Sequence, residues 1–156
     1  MLPDEIKNLS GQVYNTNTFD IEKQSVKRFA RAVGDPNPLY SDEDYAGKSR
    51  YGGIIAPPGF ISSIWFWEDD SGKGGLLDLI FAIAGAGYPS AIDSGIDYEF
   101  FQPIKAGDRI KSTLLVKDIR ERKSGEETLV FLVTETSYEN QNGEQVARVK
   151  MTTIHR

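Results

Sequence analysis

Apolar positions change period along the chain: they recur at helical spacing in the first half and at every second position in the second. Val26, Phe29, Ala30 and Val33 fall three and four residues apart, predicting a helix that Gly34 stops and Asp20 caps. Lys27, Arg28 and Arg31 lie toward its C-terminal end, where the helix dipole favours cations. Ahead of it, residues 11–19 (GQVYNTNTF) alternate weakly and predict a first strand with Val13 pointing inward. Asp35-Pro36-Asn37-Pro38 is a loop, because two prolines and an asparagine in sequence suit neither a helix interior nor a strand ladder. Ser41 and Asp44 have capping-box spacing for a short helix through Tyr45 and Ala46. Gly52-Gly53 breaks the chain, and Pro57-Pro58 then opens a helix on which Phe60, Ile61, Ile64 and Trp65 share one face.

Residues 69–75 are polar and glycine-rich, and the apolar stretch that follows, read to Tyr88, is either a helix packed on the surface or a lid over a pocket. From Gly95 the period is two. Ile96, Tyr98 and Phe100 alternate with Asp97 and Glu99, and Ile110, Ser112, Leu114 and Val116 line one face of a strand entered from the turn 105–108. Leu129, Phe131 and Val133 line the next strand. After the turn Asn140-Gln141-Asn142-Gly143, Ala147, Val149 and Met151 line the last, with His155 expected to be solvated or on a sheet edge. The elements predict a single α+β domain over 1–156, in which an antiparallel meander packs on one buried helix.

The 156 residues, 39% of them hydrophobic, suffice for one core and not for two ordinary domains. A net charge of -5 disfavours nucleic acid or an anionic membrane as the main partner. The chain has no cysteine and one histidine, which excludes a disulfide framework, a thiolate nucleophile and a sulfur- or histidine-rich metal site. No apolar run approaches the ~18 residues of a membrane span, and the first residues lack the charge and apolar pattern of a signal peptide. A cytoplasmic protein is therefore expected.

Three ordered motifs resemble a known family. The loop Gly34-Asp35-Pro36-Asn37-Pro38-Leu39-Tyr40 is similar to the hydratase loop of MaoC-like (R)-enoyl-CoA hydratases and acyl dehydratases. The run 51–58 (YGGIIAPP) resembles the entry to their central helix, and 98–104 with 106–110 resembles their outgoing strand and turn. The resemblance implies a hot-dog fold, an antiparallel sheet wrapped around a central helix, and reversible addition of water to a 2-enoyl thioester. In that family an aspartate and a histidine hold the water, and a glycine N–H at the start of the central helix receives the thioester oxygen as it gains charge. Coenzyme A enters as the thioester carrier, and no separate cofactor is expected.

On that correspondence Asp35 keeps the aspartate position, with Asn37 beside it, but Tyr40 stands where the histidine belongs and Pro58 where the oxyanion glycine belongs. A phenol with a pKa of about 10 is a poor base at neutral pH, although it donates hydrogen bonds. Proline has no N–H, and Gly59 follows it. Losing the base typically costs about 10²–10⁴-fold, and losing the oxyanion donor about 10²–10³-fold. The resemblance therefore implies the substrate-pocket half of a double hot-dog, with a homodimeric copy or a histidine-bearing hydratase subunit as partner. Phe60 and Trp65 are candidates to line the acyl pocket.

Each of these residues also has a structural reading. Asp35 suits an Asx-turn, Tyr40 an ordinary core aromatic, Pro58 a helix start, and the aromatic run from Phe60 core packing. The stretch 117–123 is either a solvated hairpin or a contact for coenzyme A phosphates. Two further functions stand beside the hydratase: a non-catalytic acyl-CoA-binding or scaffolding subunit, and a thioesterase. For the thioesterase the candidate carboxylates, Glu68 and Asp69, lie late on the central helix.

Overall fold

The computed structural model describes residues 1–64 and 75–156. Its elements run α1 Asp4–Lys7, β1 Val13–Asp20, α2 Lys23–Ala32, a 3-10 turn Pro38–Tyr40, α3 Glu43–Lys48, a 3-10 turn Pro58–Phe60 continuing as α4 Ile61–Ile64, α5 Leu76–Gly85, β2 Ala91–Phe100, β3 Arg109–Ser124, β4 Glu127–Glu139 and β5 Gln145–His155. The strands form one antiparallel sheet in the order β1-β3-β4-β5-β2, so β1 and β2 are the edges. Among the described residues no helix is long and apolar enough to cross a membrane.

Cross-strand pairing decides which residues face inward. Phe19 opposes Ile110, Ser112 opposes Tyr138, Leu132 opposes Thr153, and Val130 opposes His155. One end of this face packs under the start of α4 in a cluster that includes Phe60, Ile61, Ile64, Ile110 and Tyr138. The other end packs under α1 and α5, where Leu2, Ile6, Leu79 and Ile83 meet Val116, Ile119, Val130 and Leu132. Glu121 links the layers there: Oε1 accepts from the Tyr88 hydroxyl and the Leu2 N–H, each at 2.7 Å, while Oε2 lies 3.3 Å from the Lys7 ammonium.

Several local expectations are corrected by the geometry. Val13 is 58% exposed, because a bulge between Val13 and Asn15 turns it away from the face that Phe19 occupies. Asp20 does not cap α2; it ends β1 and accepts from Arg109 Nε at 2.8 Å, while the chain stays extended through buried Ile21 to Glu22. The cap of α3 is Asp42, whose side chain accepts the Tyr45 N–H at 3.0 Å, one residue after Ser41. On β4 the core face carries Val130, Leu132, Thr134 and Tyr138, so Leu129, Phe131 and Val133 line the opposite face. Phe131 there meets the Arg120 guanidinium at 5.8 Å.

His155 is neither solvated nor at an edge. It is fully buried, because β5 lies between β4 and β2 and the ring points inward beside Thr153, whose hydroxyl lies 2.8 Å from Nε2. Nδ1 has no hydrogen-bond partner among the described residues. Of the two readings for 76–88, the packed helix describes α5: Leu79 and Ile83 are buried against the sheet, and Phe81 faces solvent. Trp65, Glu68 and Asp69 lie outside the described residues.

Candidate functional site

The loop after α2 is built by its own polar side chains. Gly34 takes a left-handed conformation (φ 71°), allowing the Asp35 N–H to reach back to the Ala30 carbonyl at 2.9 Å. Asp35 Oδ1 then accepts the Asn37 N–H, and Asn37 Oδ1 accepts the Leu39 N–H, both at 3.0 Å. The resulting 3-10 turn sets Tyr40 half-buried. Outside the loop, the Glu43 carboxylate receives Lys23 at 2.8 Å and Lys27 at 3.0 Å, tying α3 to α2 and lowering its pKa to about 2 through hydrogen bonds and charge.

The sequence-derived site residues divide between two hollows. Tyr40 and Pro58 share a cleft of about 490 Å³, whose walls include Tyr51, Pro57, Phe100 and Phe101. Asp35 is exposed and faces a different hollow, with Lys27, Arg31 and Ser41. Desolvation raises the Tyr40 pKa first, followed by the charge of Asp35 and by Tyr51, with a hydrogen bond from the Asn37 side chain acting against them. The phenol is thus further from acting as a base than a free one.

At the start of the central helix Pro58 and Gly59 are exposed, and Phe60 turns inward to meet Phe29 edge to face at 5.6 Å. Gly59 supplies the first N–H of the turn, and among the described residues no group accepts from it. A Cβ at Gly59 would stand 3.4 Å from the Phe29 ring. A third, small hollow of about 40 Å³ lies on the inner sheet face, lined by Asn15, Asn17, Ser112, Thr136 and apolar neighbours. Asn17 Oδ1 is buried there without a partner among the described residues.

Sequence reasoning passed over Arg50, Tyr51, Phe100, Phe101 and Gln102 as wall residues, although the Phe100-Phe101 doublet closing a strand was a visible signal. It also passed over Asn15 and Asn17, two amides at alternate positions of a strand. The stretch 117–123 favours the solvated reading: Lys117 lies 4.0 Å from Glu135 and Arg120 2.9 Å from Asp118, and neither lines the cleft. Among the described residues no group of three or more acidic or histidine side chains is placed to hold a metal ion.

The model for the FAS1-like dehydratase domain region matches residues 8–149. A UPF0336 protein of Streptomyces avermitilis is 30% identical over 67% of this chain and 66% of its own length. A probable enoyl-CoA hydratase alpha subunit of Thermomonospora curvata is 28% identical over 78% of this chain, a stretch that makes up 40% of that longer protein. Among solved structures, the ChsH1-ChsH2 complex of Mycobacterium tuberculosis superposes with a TM-score of 0.75 at 18% identity, covering 97% of this chain and 86% of the other. The MaoC-like dehydratase of Rhodospirillum rubrum does so with a TM-score of 0.66 at 22% identity, covering 94% and 91%. These likenesses identify the five-stranded sheet and its helices as a hot-dog fold. With the FAS1-like dehydratase model spanning nearly the whole chain and MaoC-like dehydratases among its structural neighbours, this chain belongs to the MaoC-like dehydratase family.

Proposed function

We propose that this chain is a subunit of an enoyl-CoA hydratase or acyl dehydratase, forming the substrate-pocket half of a double hot-dog whose water-activating histidine belongs to a partner subunit. The observation that carries the reading is Tyr40, a phenol with a raised pKa at the loop position of the base, set in a cleft whose other wall is Phe100 and Phe101 beside β2, an edge of the sheet among the described residues. The exposed Ile92, Tyr98 and Phe100 make that edge suited to a second hot-dog domain. The heteromeric ChsH1-ChsH2 neighbour and the alpha-subunit relative support pairing with a different chain.

In the assembled site the apolar wall receives the enoyl thioester, the partner's base takes a proton from a water whose oxygen adds to C3, and that proton is then given to C2. A backbone donor stabilises the enolate-like oxygen between these steps. In this chain Gly59 is the candidate donor, because Pro58 has no N–H. The exposure of Asp35, with Oδ1 committed to the Asn37 N–H, favours a second reading: a subunit that binds acyl thioesters or organises its partner without doing chemistry.

The test is hydration of a short and a bulky 2-enoyl-CoA by the purified chain alone, with Asp35→Ala as control. The expected result is thioester binding without appreciable turnover, with turnover restored by a histidine-bearing partner. Robust turnover by the chain alone, abolished by Asp35→Ala, would overturn the partner-dependent reading. Full activity of the reconstituted pair carrying Asp35→Ala would favour the non-catalytic subunit.

A further inference from the structure

The Tyr40 cleft continues past its apolar wall. A neighbouring hollow of about 370 Å³ shares Arg50, Tyr51, Gln102 and Pro103 with it, so the two form one groove. One end is apolar, walled by Ile55, Pro57, Phe100 and Phe101; the other is polar, walled by Lys105 and the amides of the 140–142 turn.

The charges along the polar end are unequally committed. Asp108 is buried, its Oδ2 accepting the Lys105 N–H at 2.8 Å and its Oδ1 accepting from Gln141 at 3.1 Å. Glu144 accepts from the Asn140 amide at 2.8 Å. Neutral amides hold these carboxylates in the turns, and both line the polar end beside the cations. Arg50 and Lys105 are exposed, and among the described residues neither has a carboxylate partner. Arg50 is also pre-positioned: its guanidinium lies over the Tyr51 ring, 4.8 Å from the centroid, and Nη2 donates to the Tyr51 hydroxyl. One N–H of the planar fork is held by Tyr51, and Arg50 lines both parts of the groove, an arrangement suited to a phosphate.

We infer that Arg50, held by Tyr51 and assisted by Lys105, binds the phosphate of a phosphopantetheine thioester laid along this groove. The inference rests on the thioester-binding reading above and adds to it the residue that recognises the carrier. The groove presents an apolar wall, a junction lined by both the Gln102 amide and Arg50, and then Lys105 with the turn amides, which suits a ligand that carries an acyl group at one end and amides and a phosphate toward the other. The same phosphate occurs in free coenzyme A and in the prosthetic arm of a carrier protein. The experiment therefore separates the phosphate from the nucleotide beyond it.

Butyryl-pantetheine, butyryl-4′-phosphopantetheine and butyryl-coenzyme A are titrated into the native protein, Arg50→Gln and Tyr51→Leu by calorimetry, at low and moderate salt. The two phosphate-bearing thioesters are expected to bind the native protein about tenfold more tightly than butyryl-pantetheine. Arg50→Gln should weaken the two phosphate-bearing thioesters about tenfold more than butyryl-pantetheine, closing most of that gap and removing its salt dependence, and Tyr51→Leu should narrow it. Equal binding of the coenzyme A and phosphopantetheine forms assigns the contact to the pantetheine phosphate; tighter binding of coenzyme A extends it to the nucleotide phosphates. An Arg50→Gln protein that binds all three ligands as the native protein does, or loses all three equally, overturns the inference and leaves the thioester-binding reading intact. Failure of the native protein to bind any of the three overturns both.

Discussion

The Ser62 hydroxyl and the Tyr98 phenol lie 2.7 Å apart, joining the first turn of the central helix to the edge strand β2. Tyr98 in turn stacks parallel to Phe100, with ring centroids 6.1 Å apart, so this hydrogen bond positions one wall of the cleft against the helix that opens the other. Tyr98→Phe keeps the ring and removes the bond. Because the pair is exposed to solvent, the expected loss is about 0.5 kcal/mol, at the low end for a hydrogen bond. Urea denaturation of Tyr98→Phe, Ser62→Ala and the double variant measures it; strictly additive losses would mean that water already satisfies both hydroxyls.

The burial of β4 predicts unequal losses from two leucines three residues apart. Leu132 is 1% exposed under α5, so Leu132→Ala is expected to cost about 2–5 kcal/mol. Leu129, half-buried on the other face, is expected to cost about 1 kcal/mol when cut to alanine. Similar losses at both positions would contradict the register of the β3–β4 ladder.

Glu121 is the polar anchor between α1, the 86–90 segment and the sheet. Hydrogen bonds from Tyr88 first and from the Leu2 backbone second hold its carboxyl below the usual range, and the same contact raises the Tyr88 phenol. Glu121→Ala leaves the 7%-exposed Tyr88 hydroxyl unpaired, and a loss of about 1–3 kcal/mol is expected. Because the folded pKa is depressed, this stabilisation is present above about pH 4.3 and is lost as pH falls through the folded value. Denaturation between pH 3 and 7 should therefore show a steeper acid decline in the native protein than in Glu121→Gln.

The sole histidine gives a second pH dependence at higher pH. Burial lowers the pKa of His155, so the unfolded chain takes up a proton at a higher pH than the folded one. Its contribution to stability is complete above the unfolded value of about 6.5 and falls as pH drops from there through the folded value. In urea midpoints measured from pH 8 to 5, the native protein should lose stability below about pH 6.5, and His155→Gln should lack that segment of the decline. A decline unchanged in His155→Gln would assign it to the carboxylates.

Much of the candidate site was legible in the residues because loops of this kind are determined locally. Gly34, Asp35, Asn37 and Pro38 restrict their own backbones and bond to neighbours two residues away, so the Asx reading of Asp35 and the turn leading to Tyr40 follow from short-range chemistry. The role of Arg50 was not legible, since its environment is made by Gln102, Lys105 and the 140–142 turn, distant in sequence and joined only by folding.

By itself, the sequence determined the order of the elements, the helical and alternating segments, the proline and glycine breaks, and the motifs that mark the family. Those features depend on side-chain periodicity and on backbone restrictions acting within a few residues. Tertiary structure decided which face of each strand is buried. A bulge between Val116 and Asp118 passes the inward position from Val116 to Ile119, and pairing with β3 then sends Val130 and Leu132 rather than Leu129 and Phe131 into the core. It likewise buried His155 in an interior strand and set Asp35 and Tyr40 in separate hollows. Register joins positions far apart in the chain, and a one-residue shift reverses every side chain after it, so local pattern cannot specify the outcome.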